Sequence, residues 1–207
     1  RRCVLAGISS PILKKEVRPL SSSLENYKIL GQDIADFKER VLTYLDPLEA
    51  EREVEDFYDK EEVKVFLNYL ENFPKNERIF VLGDYDCDGI SSLSIILRLL
   101  DHLKIKANYL IPSRLKDGYG LKEKHVELAL KHGFKAMIVL DSGIIAHKAL
   151  KLAFDKGLDV LVIDHHEFSD LPIAKAIIHP ALLKSYYEGM CTAGLCLLLA
   201  EHFYDDD

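Results

Sequence analysis

At 207 residues, with 48% hydrophobic and 29% charged side chains, the chain has enough apolar content to bury a sizeable core and is too rich in aliphatic residues for a disordered protein. No apolar run approaches the roughly 20 residues that cross a bilayer, so no membrane partner is expected. The formal charge of −7 argues against a surface that is basic throughout, but much of the excess lies in Glu49–Glu62, where eight acids stand against Arg52 and Lys60. A nucleic-acid substrate therefore needs a local basic track or another domain. The four cysteines (Cys3, Cys87, Cys191, Cys196) form no Cys-x-x-Cys pair, and the opening Arg1–Gly7 is too short in its apolar part for a secretory signal. Reduced thiols in the cytoplasm are expected, with Cys191 and Cys196 as helix-packing residues.

In chain order, residues 1–28 contain Pro11, Pro19 and Ser21-Ser22-Ser23 and read as an irregular arm. Ile34, Phe37, Val41, Leu42 and Leu45 share one face of a helix over 30–45, broken by Asp46-Pro47. Residues 1–58 are thus set apart as an N-terminal arm and helix, and 59–207 as the main domain. There Val63, Phe66, Leu67, Leu70 and Phe73 mark a helix ended by Pro74. Strand 78–83 follows, then a helix from Ser91 to Leu103, apolar nearly all round. Strand 107–111, helix 122–132, strand 136–140, helix 145–156, strand 158–163, a short strand 176–178 and a helix at 192–204 complete the pattern. Strand–helix alternation with short links predicts an α/β fold, a mostly parallel sheet with helices on both faces. Ligands of such sheets collect beyond the carboxyl ends of the strands.

Three strands end in ionisable groups at that edge: Asp84-Tyr-Asp-Cys-Asp-Gly89, Asp141-Ser-Gly143 and Asp164-His-His166. Asp84, Asp86 and Asp88 match the opening of a calcium-binding EF-hand loop, but its twelfth position must be a bidentate Glu and is Ile95 here. Helix capping explains one of these acids and not three. Gly89 permits a tight turn into a helix whose N-terminus offsets part of the negative charge. Such a cluster repels itself unless divalent cations neutralise it, and a two-metal phosphoesterase site is the leading reading. Asp141 would bridge the two ions. An imidazole among carboxylates favours Mn²⁺, with Mg²⁺ as the other candidate. Arg114-Leu-Lys-Asp-Gly-Tyr-Gly120 falls on the same edge, where Arg114 offers a forked phosphate donor and Tyr119 a ring to stack on a base. Thr192-Ala-Gly194, opening the last helix, offers backbone donors to a phosphate, with Gly194 as the contact. The remaining histidines are dispersed; His179 is a weaker site candidate and the others are expected at the surface.

In order and spacing these motifs resemble those of the DHH phosphoesterase superfamily, and Pro112–Leu121 resembles the RecJ branch in particular. Ala176-Ile-Ile-His-Pro180 and Thr192-Ala-Gly194 also fall where RecJ proteins have related segments, so the resemblance covers 60–204. It implies a metal-dependent exonuclease that degrades single-stranded DNA from the 5′ end in recombination and repair. Asp86, Asp88, Asp141 and His165 would ligate two Mn²⁺ or Mg²⁺ ions. Asp84 would be a ligand or lie behind one, and His166 would meet the scissile phosphate. A single-stranded-DNA-binding protein or a helicase fits as partner. The departures are Cys87 for a small aliphatic residue, His179-Pro180 for the usual Asn-Pro, and a last metal-binding Asp that the resemblance places downstream of Asp207, so a partial chain is expected. Two alternatives stay open: a small-substrate DHH phosphoesterase acting on short oligonucleotides, cyclic dinucleotides or pyrophosphate, and a non-catalytic replication scaffold.

Overall fold

The computed structural model describes residues 57–115, 118–183, 187 and 189–204. They belong to one compact unit, Glu55–Asp206. The expected arm and the helix at 30–45 lie outside the described residues.

A 3-10 turn (Phe57–Asp59) leads into α1 (Glu61–Glu71). Then come β1 (Arg78–Gly83), α2 (Cys87–His102), β2 (Lys106–Leu110), α3 (Glu123–Lys131), β3 (Ala136–Leu140), α4 (His147–Asp155), β4 (Asp159–Ile163), β5 (Ala176–Ile178), the short α5 (Pro180–Leu183) and α6 (Thr192–Tyr204). The five strands form a parallel sheet in the order β2-β1-β3-β4-β5. Strand alternation sorts the aliphatic residues onto two faces. Ile79, Val81, Ile138, Leu140, Leu161 and Ile163 pack with α1, α2 and α6 in one core. Phe80, Leu82, Met137, Val139, Val160 and Val162 pack with α3 and α4 in the other. Sealing on both faces explains why β1, β3 and β4 read as unbroken apolar runs rather than alternating ones. Edge strand β2 is the exception, with Tyr109 60% exposed.

The chain leaves β1 for β2 on one side and returns to β3 on the other, so a switch point opens between β1 and β3. Register then aligns the strand ends. Gly83 pairs with Leu140, Leu140 with Ile163, and Ile163 with Ile178. The residues one step further on, Asp84, Asp141, Asp164 and His179, are therefore brought to one level of the sheet edge.

Several local expectations change. Helix α2 begins at Cys87, four residues before the expected Ser91, because the Asp86 side chain accepts the Gly89 amide as an N-cap. Gly89 thus lies inside the first helical turn. It is glycine because an added Cβ would stand 2.6–2.7 Å from the Asp84 backbone, not because a turn requires it. Helix α2 is also one-sided, with Ile90 and Ser94 exposed. His125, expected at the surface, is buried, and its Nδ1 accepts the Lys122 amide at the start of α3. Cys196 packs in the core as expected, whereas Cys191 lies just outside α6 and is exposed.

Candidate metal centre

Beyond β1, β3 and β4 the carboxylates and imidazoles converge. Ligand atoms of Asp84, Asp86 and Asp141 all lie within 4.8 Å of one another, and so do those of Asp141, His165 and His166. Asp141 belongs to both groups. It is fully buried, and its backbone is left-handed with φ of 57°, a conformation that Asp tolerates better than most residues. The following Gly143 has φ of 114°, and an added Cβ would stand 2.9 Å from Val139 Cγ1.

The electrostatics describe a site short of positive charge. Burial, with the charges of Asp88 and Asp86 adding, pushes the Asp141 carboxyl up to about 7. Burial also raises Asp84, reinforced by Asp86 and Asp164. Asp86 is held below the ordinary range, foremost by the Gly89 amide. Two buried carboxylate oxygens, Asp84 Oδ1 and Asp141 Oδ2, have no hydrogen-bond partner. An unpartnered buried carboxylate oxygen is costly, and a divalent cation is the ligand that removes that cost. The donor set of three carboxylates and an imidazole suits Mn²⁺ or Mg²⁺.

Asp164 builds the histidine loop. Its Oδ1 accepts the amides of His165 (2.8 Å) and His166 (3.1 Å) and lies 2.8 Å from His166 Nδ1. Its Oδ2 accepts the Ile144 amide at 3.0 Å. With its acceptor sites taken up, Asp164 orients the histidines rather than competing for a cation. His165 Nε2 lies 3.3 Å from Asp141 Oδ1 and 3.6 Å from Asp88 Oδ2. Burial opposes charging His166, but the bond to Asp164 and the charges of Asp164, Asp141 and Asp84 outweigh it and hold the imidazole above its ordinary value.

Of the residues expected from sequence, Asp84, Asp86, Asp141, His165 and His166 come together. Asp88 adjoins them but falls in neither ligand group. Its Oδ2 accepts the Thr192 amide at 2.9 Å and its Oδ1 the Ala193 amide at 2.7 Å. Two of the backbone donors expected to meet a phosphate at the start of α6, those of Thr192 and Ala193, are thus occupied by Asp88. Gly194 itself sits where a Cβ would come 2.9 Å from Met190 Cγ, so close packing accounts for the glycine. Tyr119 donates its hydroxyl to the Asp141 carbonyl at 3.2 Å and lies against the His166 ring, so its polar end faces the site. The Arg114 guanidinium stands over the Tyr85 ring, 5.5 Å from its centroid.

Three residues take supporting roles that the sequence did not assign them. Asp164 is one and Thr192, whose hydroxyl donates to Asp141 Oδ1 at 3.0 Å, is another. His179 is the third: its Nδ1 accepts the Ala181 amide at 3.1 Å, which leaves Nε2–H to donate to the His166 carbonyl at 2.9 Å. Burial lowers its pKa, in keeping with that neutral tautomer. Each carried a sequence signal, Asp164 as the first residue of its motif, Thr192 as the opening of the last helix and His179 as a weaker site candidate, but none pointed to these partners.

Comparison with known proteins agrees with this geometry. The chain is 38% identical over 130 residues to the single-stranded-DNA-specific exonuclease RecJ of Bacillus subtilis, a match covering 60% of this chain and 16% of that protein. It is 36% identical over 125 residues to the enzyme of the same name from Escherichia coli, covering 59% and 22%. A crystal structure of exonuclease RecJ bound to manganese superposes with a TM-score of 0.62 at 32% identity, covering 70% of this chain and 38% of that one. The chain thus spans well under half the length of these relatives. The family model for the DHH family, N-terminal domain, matches residues 78–207, which takes in all three strand-end motifs. The chain belongs to the DHH family.

Proposed function

We propose that the protein hydrolyses phosphodiester bonds of single-stranded DNA from the 5′ end, using two divalent cations, Mn²⁺ or Mg²⁺. One observation carries the reading: Asp141 belongs to both ligand groups, and its Oδ2 is buried with no partner. Asp84, Asp86 and Asp141 would hold one ion, and Asp141 with His165 the other. Such a pair, when bound, lowers the pKa of a water and clamps the attacking and leaving oxygens.

The protein's own groups supply the rest. His166, held above its ordinary value by the carboxylates around it and fixed through Nδ1 by Asp164, donates to the scissile phosphate. Arg114, braced on Tyr85, gives a forked donor to a phosphate further along the strand. Tyr119 ties the Asp141 backbone to His166. Asp88 acts from behind, holding the start of α2 against α6. A cytoplasmic role in recombination and repair, beside a single-stranded-DNA-binding protein or a helicase, follows from the same reading. Among the described residues no helix is long and apolar enough to cross a membrane.

The test is end-labelled single-stranded DNA incubated with the intact protein and MnCl₂. Mononucleotides released from the 5′ end, and abolished by D84N or D141N, are expected. Turnover confined to dinucleotides, cyclic dinucleotides or pyrophosphate would replace this reading with the small-substrate one. Bound Mn²⁺ without hydrolysis of any of them would favour a scaffold.

A further inference from the structure

Thr192 is itself no expected ligand of the sequence motifs, yet it joins three parts of the site. It is fully buried at the start of α6. Its hydroxyl donates to Asp141 Oδ1, beyond β3, at 3.0 Å. Its amide donates to Asp88 Oδ2, in the first turn of α2, at 2.9 Å, and the next amide, of Ala193, takes Asp88 Oδ1 at 2.7 Å. Helix α6 is a firm base for this, since Leu195, Cys196, Leu199 and Ala200 all pack in the larger core.

The two contacts act on the site differently. Asp88 is two residues from the N-cap Asp86, so anchoring Asp88 to α6 fixes where α2 begins and hence where Asp86 stands. The hydroxyl contact acts on Asp141 directly. With Oδ1 taken by Thr192, Oδ2 is the oxygen left without a partner. A hydrogen bond from behind a ligating carboxylate fixes its orientation, and losing such a contact characteristically weakens metal affinity by about 10–100-fold.

We propose that Thr192 is a positioning residue for the divalent ions, and that what position 192 contributes is its hydroxyl on Asp141 rather than side-chain bulk. This rests on the reading that the carboxylates hold those ions. Alanine and serine at 192 differ by one oxygen and share the amide contact to Asp88, so the pair isolates the hydroxyl. Valine keeps the volume of threonine and lacks the donor.

The experiment measures Mn²⁺ binding to the intact protein, with MnCl₂ alone as probe, by the electron-paramagnetic-resonance signal of free Mn²⁺. Thermal unfolding in EDTA reports whether each variant is folded. T192S is expected within about threefold of the wild-type affinity, and T192A and T192V weaker by about tenfold or more. Equal affinity of folded T192A and T192S overturns the proposal, and if T192V fails to fold that comparison decides alone. Unfolding of both T192A and T192V beside a folded T192S would make the hydroxyl a fold determinant and overturn it too. A wild-type protein that binds no Mn²⁺ would instead remove the two-ion reading on which it rests.

Discussion

Replacing Asp141 with asparagine separates the cost of the carboxylate cluster from its use. In the folded protein burial and the neighbouring acids push this carboxyl from its ordinary 3.8 to about 7. The folded state therefore holds the proton more tightly than the unfolded chain, and stability falls as pH rises between those two values. Below about pH 4 both states are protonated and the group contributes nothing. Above about pH 7 the penalty is complete, with a ceiling of ~4 kcal/mol from the separation of the two pKa values. Asparagine does not titrate there, can still accept the Thr192 hydroxyl, and suits a left-handed backbone, which alanine does not. In EDTA, D141N should be more stable than wild type by roughly 2–4 kcal/mol at pH 8, with the gap closing toward pH 4. Urea unfolding followed by circular dichroism at several pH values measures it. Adding MnCl₂ should then raise the wild-type midpoint and leave D141N nearly unmoved. The reasoning is refuted if D141N is the less stable protein at pH 8 in EDTA, or if the gap does not change with pH.

The glycine at 89 is tested by G89A: a methyl group 2.6–2.7 Å from the Asp84 backbone must push α2 away from β1, lowering stability by ~1–3 kcal/mol and weakening Mn²⁺ binding together. At Asp88, D88A strands two amides of α6 and should cost ~2 kcal/mol or more in urea unfolding. D88N retains one acceptor and should fall between D88A and wild type. For His179, H179Q can still donate to the His166 carbonyl, whereas H179N can only cap the Ala181 amide. Nuclease turnover lowered in H179A, by about tenfold, should therefore recover further in H179Q than in H179N; the reverse order would assign His179 to the turn before α5 instead.

The sheet was legible because each buried strand is a short aliphatic run closed by a polar residue, and three of the four links between strands carry a helix that sequence periodicity marks. Helix starts were less so. Asp86 caps α2 four residues earlier than its apolar pattern suggests, because the first turn is built from the acids of the motif itself and from a glycine pressed against Asp84. The ligand-bearing strand ends were legible for a related reason. A carboxylate at the end of an apolar strand contradicts the strand's own pattern, and three such contradictions in one sheet call for a common cause.

What sequence could not show is which of these acids face a shared cavity and which face protein. Asp86 and Asp88 are two residues apart in one motif, yet Asp86 joins a ligand group while Asp88 binds amides more than a hundred positions along the chain. The difference is set by α6, whose docking depends on Leu195, Cys196 and Leu199 in the larger core and leaves no mark near residue 88. Thr192 and His179 follow the same logic. Each is an ordinary residue at the start of a helix until tertiary packing brings it against Asp141 or the His166 carbonyl. A motif of ionisable residues can therefore announce a metal centre, while the arrangement that makes the centre usable is specified by hydrophobic contacts elsewhere. Core substitutions in α6, such as L195A, should accordingly loosen Asp88 and Asp141 together, and Mn²⁺ affinity should fall in proportion to how far the α6 amides withdraw.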